Sequence, residues 1–391
     1  MRIALLGAGH IGQTIARLLG DSGDYQVTVI DKNPEALARI QGRAVTTRAA
    51  DTEDRAALLA ALGGHDTVVN ALPYHLAIAT ATVARDAHCH YFDLTEDVAA
   101  TRGIKQLAID ASTAFMPQCG LAPGFIGIVA QHLARGFDTL QDVKMRVGAL
   151  PAFPTNALKY NLTWSVDGLI NEYCHPCEAI RDGLRLDVLA MEGLEHFSLD
   201  GTEYEAFNTS GGLGTLCETL AGRVRTLDYK SVRYPGHCAL MKMLLEDLQL
   251  KDDPATLKAI LRKSVPGTMQ DVVLVFVTVS GMRHGSLVQE VFARKIFADR
   301  GQAAAGSSQG SLAASGGGQG PALPWGHLHH APLSAIQITT AAGICAAVDL
   351  FREGKLPSCG FIRQEQVALP DFLANRFGSA YQQSRQVESI G

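Results

Sequence analysis

The hexapeptide Gly7-Ala8-Gly9-His10-Ile11-Gly12 constrains this chain more than any other feature. It follows a short apolar run at residues 3–6. It opens a segment in which Ile11, Ile15, Leu18 and Leu19 recur at helical spacing. A G-x-G-x-x-G pattern alone is weak, but between a strand and a helix it has a physical meaning. Gly7 allows the tight turn, Gly9 lets backbone approach a pyrophosphate, and Gly12 lets helix and strand pack closely. The amides at the helix start, around His10 and Ile11, then face the phosphate charge. Such a chain is expected to fold as an α/β protein with a Rossmann-type doubly wound parallel sheet. The alternative is a Gly-rich turn in a fold that has lost its nucleotide.

The following segments continue the pattern. Apolar runs at 26–30, 44–47, 67–70, 89–92 and 114–116 alternate with helical patterns at 34–40, 54–62, 75–87 and 98–112. That rhythm implies parallel strands joined by right-handed crossovers. Asp31 closes the second strand, 19 residues past Gly12. A carboxylate there accepts hydrogen bonds from ribose hydroxyls and repels a 2′-phosphate, so NAD is expected rather than NADP. Lys32, next to it, works against that preference. Asp51 either contacts the adenine edge or caps the helix beginning near Asp54.

After residue 133 the strand-like runs lengthen, at 143–147, 184–189, 230–234 and 271–280. This reads as a second α+β domain with an open sheet. Residues 301–320 are rich in Gly, Ala, Ser and Gln, and 301–332 read as a flexible surface insertion. A helix at 334–351 is expected to return to the first domain. The expected division is therefore a dinucleotide domain at 1–133, an inserted substrate and dimerisation domain at 134–333, and a returning helix and tail at 334–391. The length of 391 residues and the 47% hydrophobic content suffice for two cores. A net charge of −5 gives no reason to expect nucleic acid or an anionic membrane as partner. No run reads as a transmembrane helix or a secretory signal, so a cytoplasmic protein with eight reduced Cys is expected. Cys174-His175-Pro176-Cys177 lacks a second pair at zinc spacing, and no metal is expected. His327, His329 and His330 read as a solvated loop.

Five further segments point the same way. Cys119-Gly120-Leu121-Ala122-Pro123-Gly124 contains a Gly-Leu-x-Pro-Gly turn just past the last strand of the nucleotide domain. With it go Asn70-Ala71-Leu72-Pro73, Tyr91-Phe92-Asp93-Leu94-Thr95, Tyr160-Asn161-Leu162-Thr163-Trp164-Ser165 and the run at 335–343. In these segments the chain resembles the saccharopine dehydrogenase family over nearly its whole length outside 301–332. The resemblance implies an oxidoreductase acting on a CH–NH or CH–NH2 group. Within the family the chain is most similar to members that oxidise the lysine side-chain amine with NAD, the L-lysine 6-dehydrogenases. The saccharopine-forming reductases prefer NADP and carry an acidic residue where this chain has Ala122. Two alternatives stay open: a reductase condensing an amine with an aldehyde or keto acid, and a non-catalytic NAD(H) sensor. A homo-oligomer would be ordinary for either enzyme.

Oxidising an amine with NAD needs a base near the nicotinamide, which lies at the carboxyl ends of the strands. Asn70, Ala71, Leu72 and Pro73 follow one strand there. Cys119, Gly120, Leu121, Ala122 and Gly124 follow another. Asp93 and Glu96 are the carboxylates placed to bind an ammonium or relay a proton; the alternatives are a helix cap and a solvated first-turn acid. Lys159 is a further base if burial lowers its pKa, and otherwise a surface lysine. Tyr160, Asn161, Trp164 and Ser165 suit the wall of an amino-acid pocket, or ordinary sheet packing. Arg233 and His237 flank a Pro-Gly turn, and Arg233 suits a substrate carboxylate or a surface position.

Overall fold

The computed structural model describes residues 1–40, 42–298, 333–382 and 385–386. The insertion expected at 301–332, with His327, His329 and His330, lies outside the described residues.

The first unit runs β1 (Arg2–Leu6), α1 (His10–Asp21), β2 (Gln26–Asp31), α2 (Pro34–Leu37), β3 (Val45–Ala49), α3 (Arg55–Leu62), β4 (Thr67–Asn70), α4 (Ala77–Asp86), β5 (His90–Asp93), α5 (Val98–Leu107), β6 (Ala114–Met116) and α6 (Phe125–Ala134). Short apolar strands such as β4, buried along its whole length, can sit only between two helical layers. Their helices begin where a side chain accepts the first-turn amides: Asn33 for α2, Asp54 for α3 and Asp97 for α5. Asp54 rather than Asp51 therefore caps α3. Asp51 accepts from the Glu53 amide instead and closes the preceding turn. The parallel sheet has the order β6-β5-β4-β1-β2-β3, so the order reverses between β1 and β4.

The second unit runs β7 (Thr139–Pro151), α7 (Val166–Cys174), β8 (Cys177–Arg181), β9 (Leu184–Val188), β10 (Glu195–Leu199), β11 (Thr202–Asn208), α8 (Leu216–Leu220), β12 (Val224–Arg233), α9 (His237–Lys242), α10 (Pro254–Ser264), β13 (Asp271–Arg283) and β14 (Ser286–Phe297). The chain ends with α11 (Ala335–Arg352), β15 (Gly360–Phe361), α12 (Leu369–Ala374) and β16 (Arg385–Gln386). Its mixed sheet follows the path β10-β11-β12-β7-β13-β14-β16. This sheet is curled. Phe197 on β10 stacks on Phe276 of β13 with centroids 5.8 Å apart, although four strand steps separate them. In a flat sheet those steps would span about 19 Å. The curl encloses an ion cluster in which Arg146 pairs with Asp228 and Glu195, and Lys230 with Glu195.

Helix α11 opens with a capping box between Ser334 and Gln337, and Asp271 of β13 also accepts from its first amides. It packs against both α1 and β13, and β15 extends the parallel sheet beside β6. By length and composition α11 could cross a membrane, but nearly all of it is buried inside the protein.

Candidate functional site

The dinucleotide end of the site is made of backbone. Gly7 has φ +101°, and a Cβ on it would lie 3.0 Å from the Ala71 carbonyl across the switch point. A Cβ on Gly12 would meet the Gly7 carbonyl at 2.0 Å, so both positions require glycine. A Cβ on Gly9 would meet nothing within 4 Å, so the turn presents bare backbone to open space. The amides of His10, Ile11 and Gly12, in the first turn of α1, have no intrahelical acceptor. This cradle fits a pyrophosphate. Asp31 braces it: one carboxylate oxygen accepts from Ala8 N at 2.7 Å and the other from Asn33 N at 2.8 Å. The carboxylate stays half-exposed, with lone pairs left for ribose hydroxyls. Lys32 is neutralised by Glu53 at 2.5 Å, with Asp51 and Asp31 also acting on it. Beside the ribose position, three carboxylates therefore surround one ammonium.

The turns after β4, β5 and β6 meet at the carboxyl edge of the sheet. Asn70 donates to Thr80 and Tyr91 and accepts from Leu72 N, which shapes the stretch through Ala71, Leu72 and Pro73. Asp93 is 1% exposed and its carboxylate is already occupied. It accepts from Tyr91 Oη at 3.0 Å, Thr95 N at 3.0 Å and Gln118 N at 2.9 Å. Burial pushes it up to about 6, with the Gln118 amide foremost among donors holding it down. The Asp93 carbonyl takes Cys119 N. Asp93 therefore ties β5 to the 118–119 backbone and has no free oxygen facing outward, so its geometry suits a brace rather than a base. In the turn itself, a Cβ on Gly124 (φ +132°) would strike the Gly120 carbonyl at 2.1 Å, while Leu121 and Cys119 are buried and Ala122 half-buried. The Cys119 thiol donates to Met116 O and is pushed well above its ordinary value by burial. It is not a nucleophile. Gly343 of α11 lets that helix approach the turn: a Cβ there would sit 2.7 Å from the Cys119 carbonyl.

Against the turn after β5 stands α7, capped by Ser165, whose hydroxyl accepts from Gly168 N. Trp164 and Glu96 both lie against the bare backbone of Gly168; a Cβ there would be 2.3 Å from the indole and 3.2 Å from Glu96 Oε1. Burial raises Glu96 to about 7, with the nearby Asn171 amide acting in the opposite sense. One turn on from Gly168, Glu172 is 6% exposed and makes no side-chain hydrogen bond or ion pair among the described residues. Burial raises it to about 8; Arg233 opposes that shift and Glu96 adds to it.

Arg233, at the end of β12, is 3% exposed and forms no ion pair among the described residues. Its Nε donates to Tyr173 Oη at 2.8 Å, and Tyr173 Oη lies 3.1 Å from His237 Nε2. His237 Nδ1 lies 2.8 Å from the Leu158 carbonyl. A carbonyl only accepts, so Nδ1 carries the proton and Nε2 accepts from Tyr173. Burial, then Arg233, hold His237 down near 3, so it is neutral and acts by orienting Arg233. The guanidinium lies 5.1 Å from the Tyr160 ring centroid, and Tyr160 Oη is buried without a hydrogen-bond partner among the described residues.

Several expected residues stand elsewhere. Lys159 is exposed and donates to the Pro235 carbonyl, so it lacks the burial that the role of base requires. Ser165 is exposed and spent on its cap. His237 is fully buried with both ring nitrogens engaged, so it cannot touch a substrate. Asn161 is buried beside Asn156. Glu172, Asn171 and Tyr173 escaped the sequence reading. A signal was present: Val166, Leu169, Glu172 and Tyr173 share one helical face, and a carboxylate there is anomalous. Cys174 and Cys177 are free thiols, and among the described residues no three His, Cys, Asp or Glu converge as a metal site.

Comparison with known proteins covers both units. Residues 3–115 match the family described as saccharopine dehydrogenase NADP binding domain, and residues 120–375 match saccharopine dehydrogenase C-terminal domain. A saccharopine dehydrogenase (NADP(+), L-glutamate-forming) of Pyricularia oryzae is 26% identical over 202 residues, 49% of this chain and 44% of that protein. The match thus spans less than half of that relative's length. Among solved structures, apo saccharopine dehydrogenase (L-Glu forming) from Saccharomyces cerevisiae superposes with a TM-score of 0.71 at 17% identity, covering 96% of this chain and 98% of that one. Homospermidine synthase from Legionella pneumophila in complex with NAD gives 0.64 at 13% identity, covering 100% and 93%. Both share the fold. With two family matches that together cover most of its residues, the chain belongs to the saccharopine dehydrogenase family.

Proposed function

We propose that this protein is an NAD-dependent oxidoreductase that oxidises the side-chain amine of an amino acid, with L-lysine as the leading substrate. One observation carries the reading: a buried guanidinium, Arg233, without an ion-pair partner among the described residues, has the buried carboxyl of Glu172 near it, and Glu172 in turn has the half-buried Glu96 near it. An amino acid with a second amine matches that sequence of groups. The dinucleotide, when bound, accepts hydride from the carbon that bears the amine. Gly7, Gly9 and Gly12 with the first amides of α1 would hold its pyrophosphate, and Asp31 its ribose. Glu96 takes a proton from the substrate ammonium. Its position near neutrality suits a group that must both accept and release a proton. The imine left on the substrate is hydrolysed by water to an aldehyde and ammonia. Asp93 keeps the 118–119 backbone in place, and Tyr173 with His237 keeps Arg233 in place.

The acidic surroundings of Lys32 support NAD over NADP, because a 2′-phosphate would face a net negative surface. The reductive condensation of an amine with a carbonyl is the second reading, favoured by what the relatives' names say of those proteins. A screen of NAD+ and NADP+ reduction across amino acids and polyamines separates them. Lysine-dependent NAD+ reduction with stoichiometric ammonia is expected, as is a shift toward NADP+ in Asp31→Ala. A secondary-amine product formed from NADH would favour the second reading. A wild-type preference for NADP+ would overturn the assignment of Asp31.

A further inference from the structure

We propose that Glu172 reads the α-ammonium of the substrate and, with Arg233 on its α-carboxylate, seats the α-amino-acid head away from the dinucleotide. Only the distal amine then reaches Glu96. This inference rests on the amine-oxidising reading above and goes further, by assigning the residue that sets which amine reacts.

The placement of three ionisable groups carries it. Arg233 ends β12 and lies behind the site, ringed by Tyr160, Tyr173 and His237. Glu96 follows β5, at the carboxyl edge of the dinucleotide sheet. Glu172 lies on α7 one turn past Gly168, against which Glu96 rests, and the charge of Arg233 also reaches it. From the interior outward the groups run guanidinium, carboxyl, carboxyl, and a ligand's ammonium groups would draw the two carboxyls into their ionised form. An α,ω-diamino acid laid along them presents carboxylate, α-ammonium and distal ammonium in matching order. The reverse pose would put a carboxylate beside Glu96 and leave Arg233 facing an ammonium. A diamine without a carboxylate would leave Arg233 unpaired, and a buried unpaired charge is costly.

An independent observation shows that the interior is built for a ligand. Glu172 is 6% exposed and Arg233 3% exposed, yet neither has an ion-pair partner among the described residues. Tyr160 Oη beside them is buried with no hydrogen-bond partner among the described residues. Buried charged and polar groups are ordinarily paired within the protein. Here Arg233 gives Nε to Tyr173 Oη and Nη1 to the Val232 carbonyl but meets no carboxylate at ion-pair distance, and the Tyr160 hydroxyl and the Glu172 carboxylate take no hydrogen bond among the described residues. Glu205, a buried carboxylate on the neighbouring strand, shows the contrast: it is taken up by Gly236 N and Cys238 N.

Calorimetry on the NADH-loaded protein tests this with L-lysine and 6-aminohexanoate, which lacks the α-amine. A charge-assisted hydrogen bond predicts about 10–100-fold tighter binding of lysine by the wild type. Glu172→Gln should bring the two ligands within a few-fold of each other by weakening lysine alone, with Glu172→Asp intermediate and the thermal melts of all three retained. A wild type that binds both ligands alike, or neither, overturns the proposal. So does a Glu172→Gln protein that loses affinity for both equally. Failure of the amine-oxidising reading shows separately, as absence of NAD+ reduction by any amine, and leaves the binding comparison intact.

Discussion

The two halves of the site are built on different principles. The dinucleotide half is local and made of backbone: residues 7–12 form one turn, closed by Asp31 two elements later. The substrate half is assembled from side chains at 96, 160, 172–173, 233 and 237, carried by separate segments of both units. The contrast shows where each half is fragile. A backbone cradle is destroyed by adding atoms. A side-chain array is retuned by removing charge, and Glu172 and Arg233 within it are costly to the fold because they are buried without an ion-pair partner among the described residues.

The largest effect should come from the substrate half. Glu96→Gln is expected to lower kcat/KM by about 10²–10⁴ while NADH affinity changes only a few-fold, because a positioned base contributes that much to rate. Steady-state kinetics with a parallel NADH titration will check this, and a loss confined to KM would reduce Glu96 to a binding group. In the dinucleotide half, Gly9→Val should weaken NADH about 100-fold or more by filling the path of the pyrophosphate, with little change in melting temperature. Gly12→Val should lose binding and also about 1–3 kcal/mol of stability, because its side chain meets the Gly7 carbonyl. If calorimetry and melting curves show no difference between the two glycines, the backbone description of the cradle is wrong.

A smaller effect tests the cost of the substrate half. Unfolded, Glu172 ionises in the ordinary carboxylate range; folded, it keeps its proton until about pH 8. Between those limits the folded protein binds the extra proton, so stability falls as pH rises through the window. Glu172→Gln removes that dependence. Its apoprotein should melt higher than the wild type at pH 8, with a smaller gain at pH 5. Equal gains at both pH values would show that the carboxylate carries no burial penalty. The smallest effect belongs to Lys159, exposed, with its ammonium donating to the Pro235 carbonyl. Lys159→Ala should leave kcat/KM within about twofold, in keeping with surface substitutions generally, and a hundredfold loss would return it to the candidates for the base.

Much of the molecule was legible in its residues, and the legible parts have a common cause. The parallel order of the first sheet follows from short apolar strands alternating with capped helices. The need for glycine at 7 and 12 follows from turn geometry that any strand-turn-helix of this kind imposes. Asp31 could be placed by counting, because strand length sets where β2 ends. Glu96 could be singled out because it follows a strand at the carboxyl edge. These are short-range constraints, and a linear sequence records them.

What the tertiary structure alone decided concerns burial and partners. Asp93 and Glu96 look alike in the sequence, three residues apart. Packing gives three donors to the first and leaves the second beside bare Gly168. Lys159, next to the buried Tyr160, proved to be exposed. Glu172 carried no assignment in the sequence; only the docking of α7 by its apolar face brings the carboxylate near Arg233. A residue's protonation and reach depend on which distant side chains exclude water from it. The order of residues along the chain does not contain that information until the two units are folded against each other.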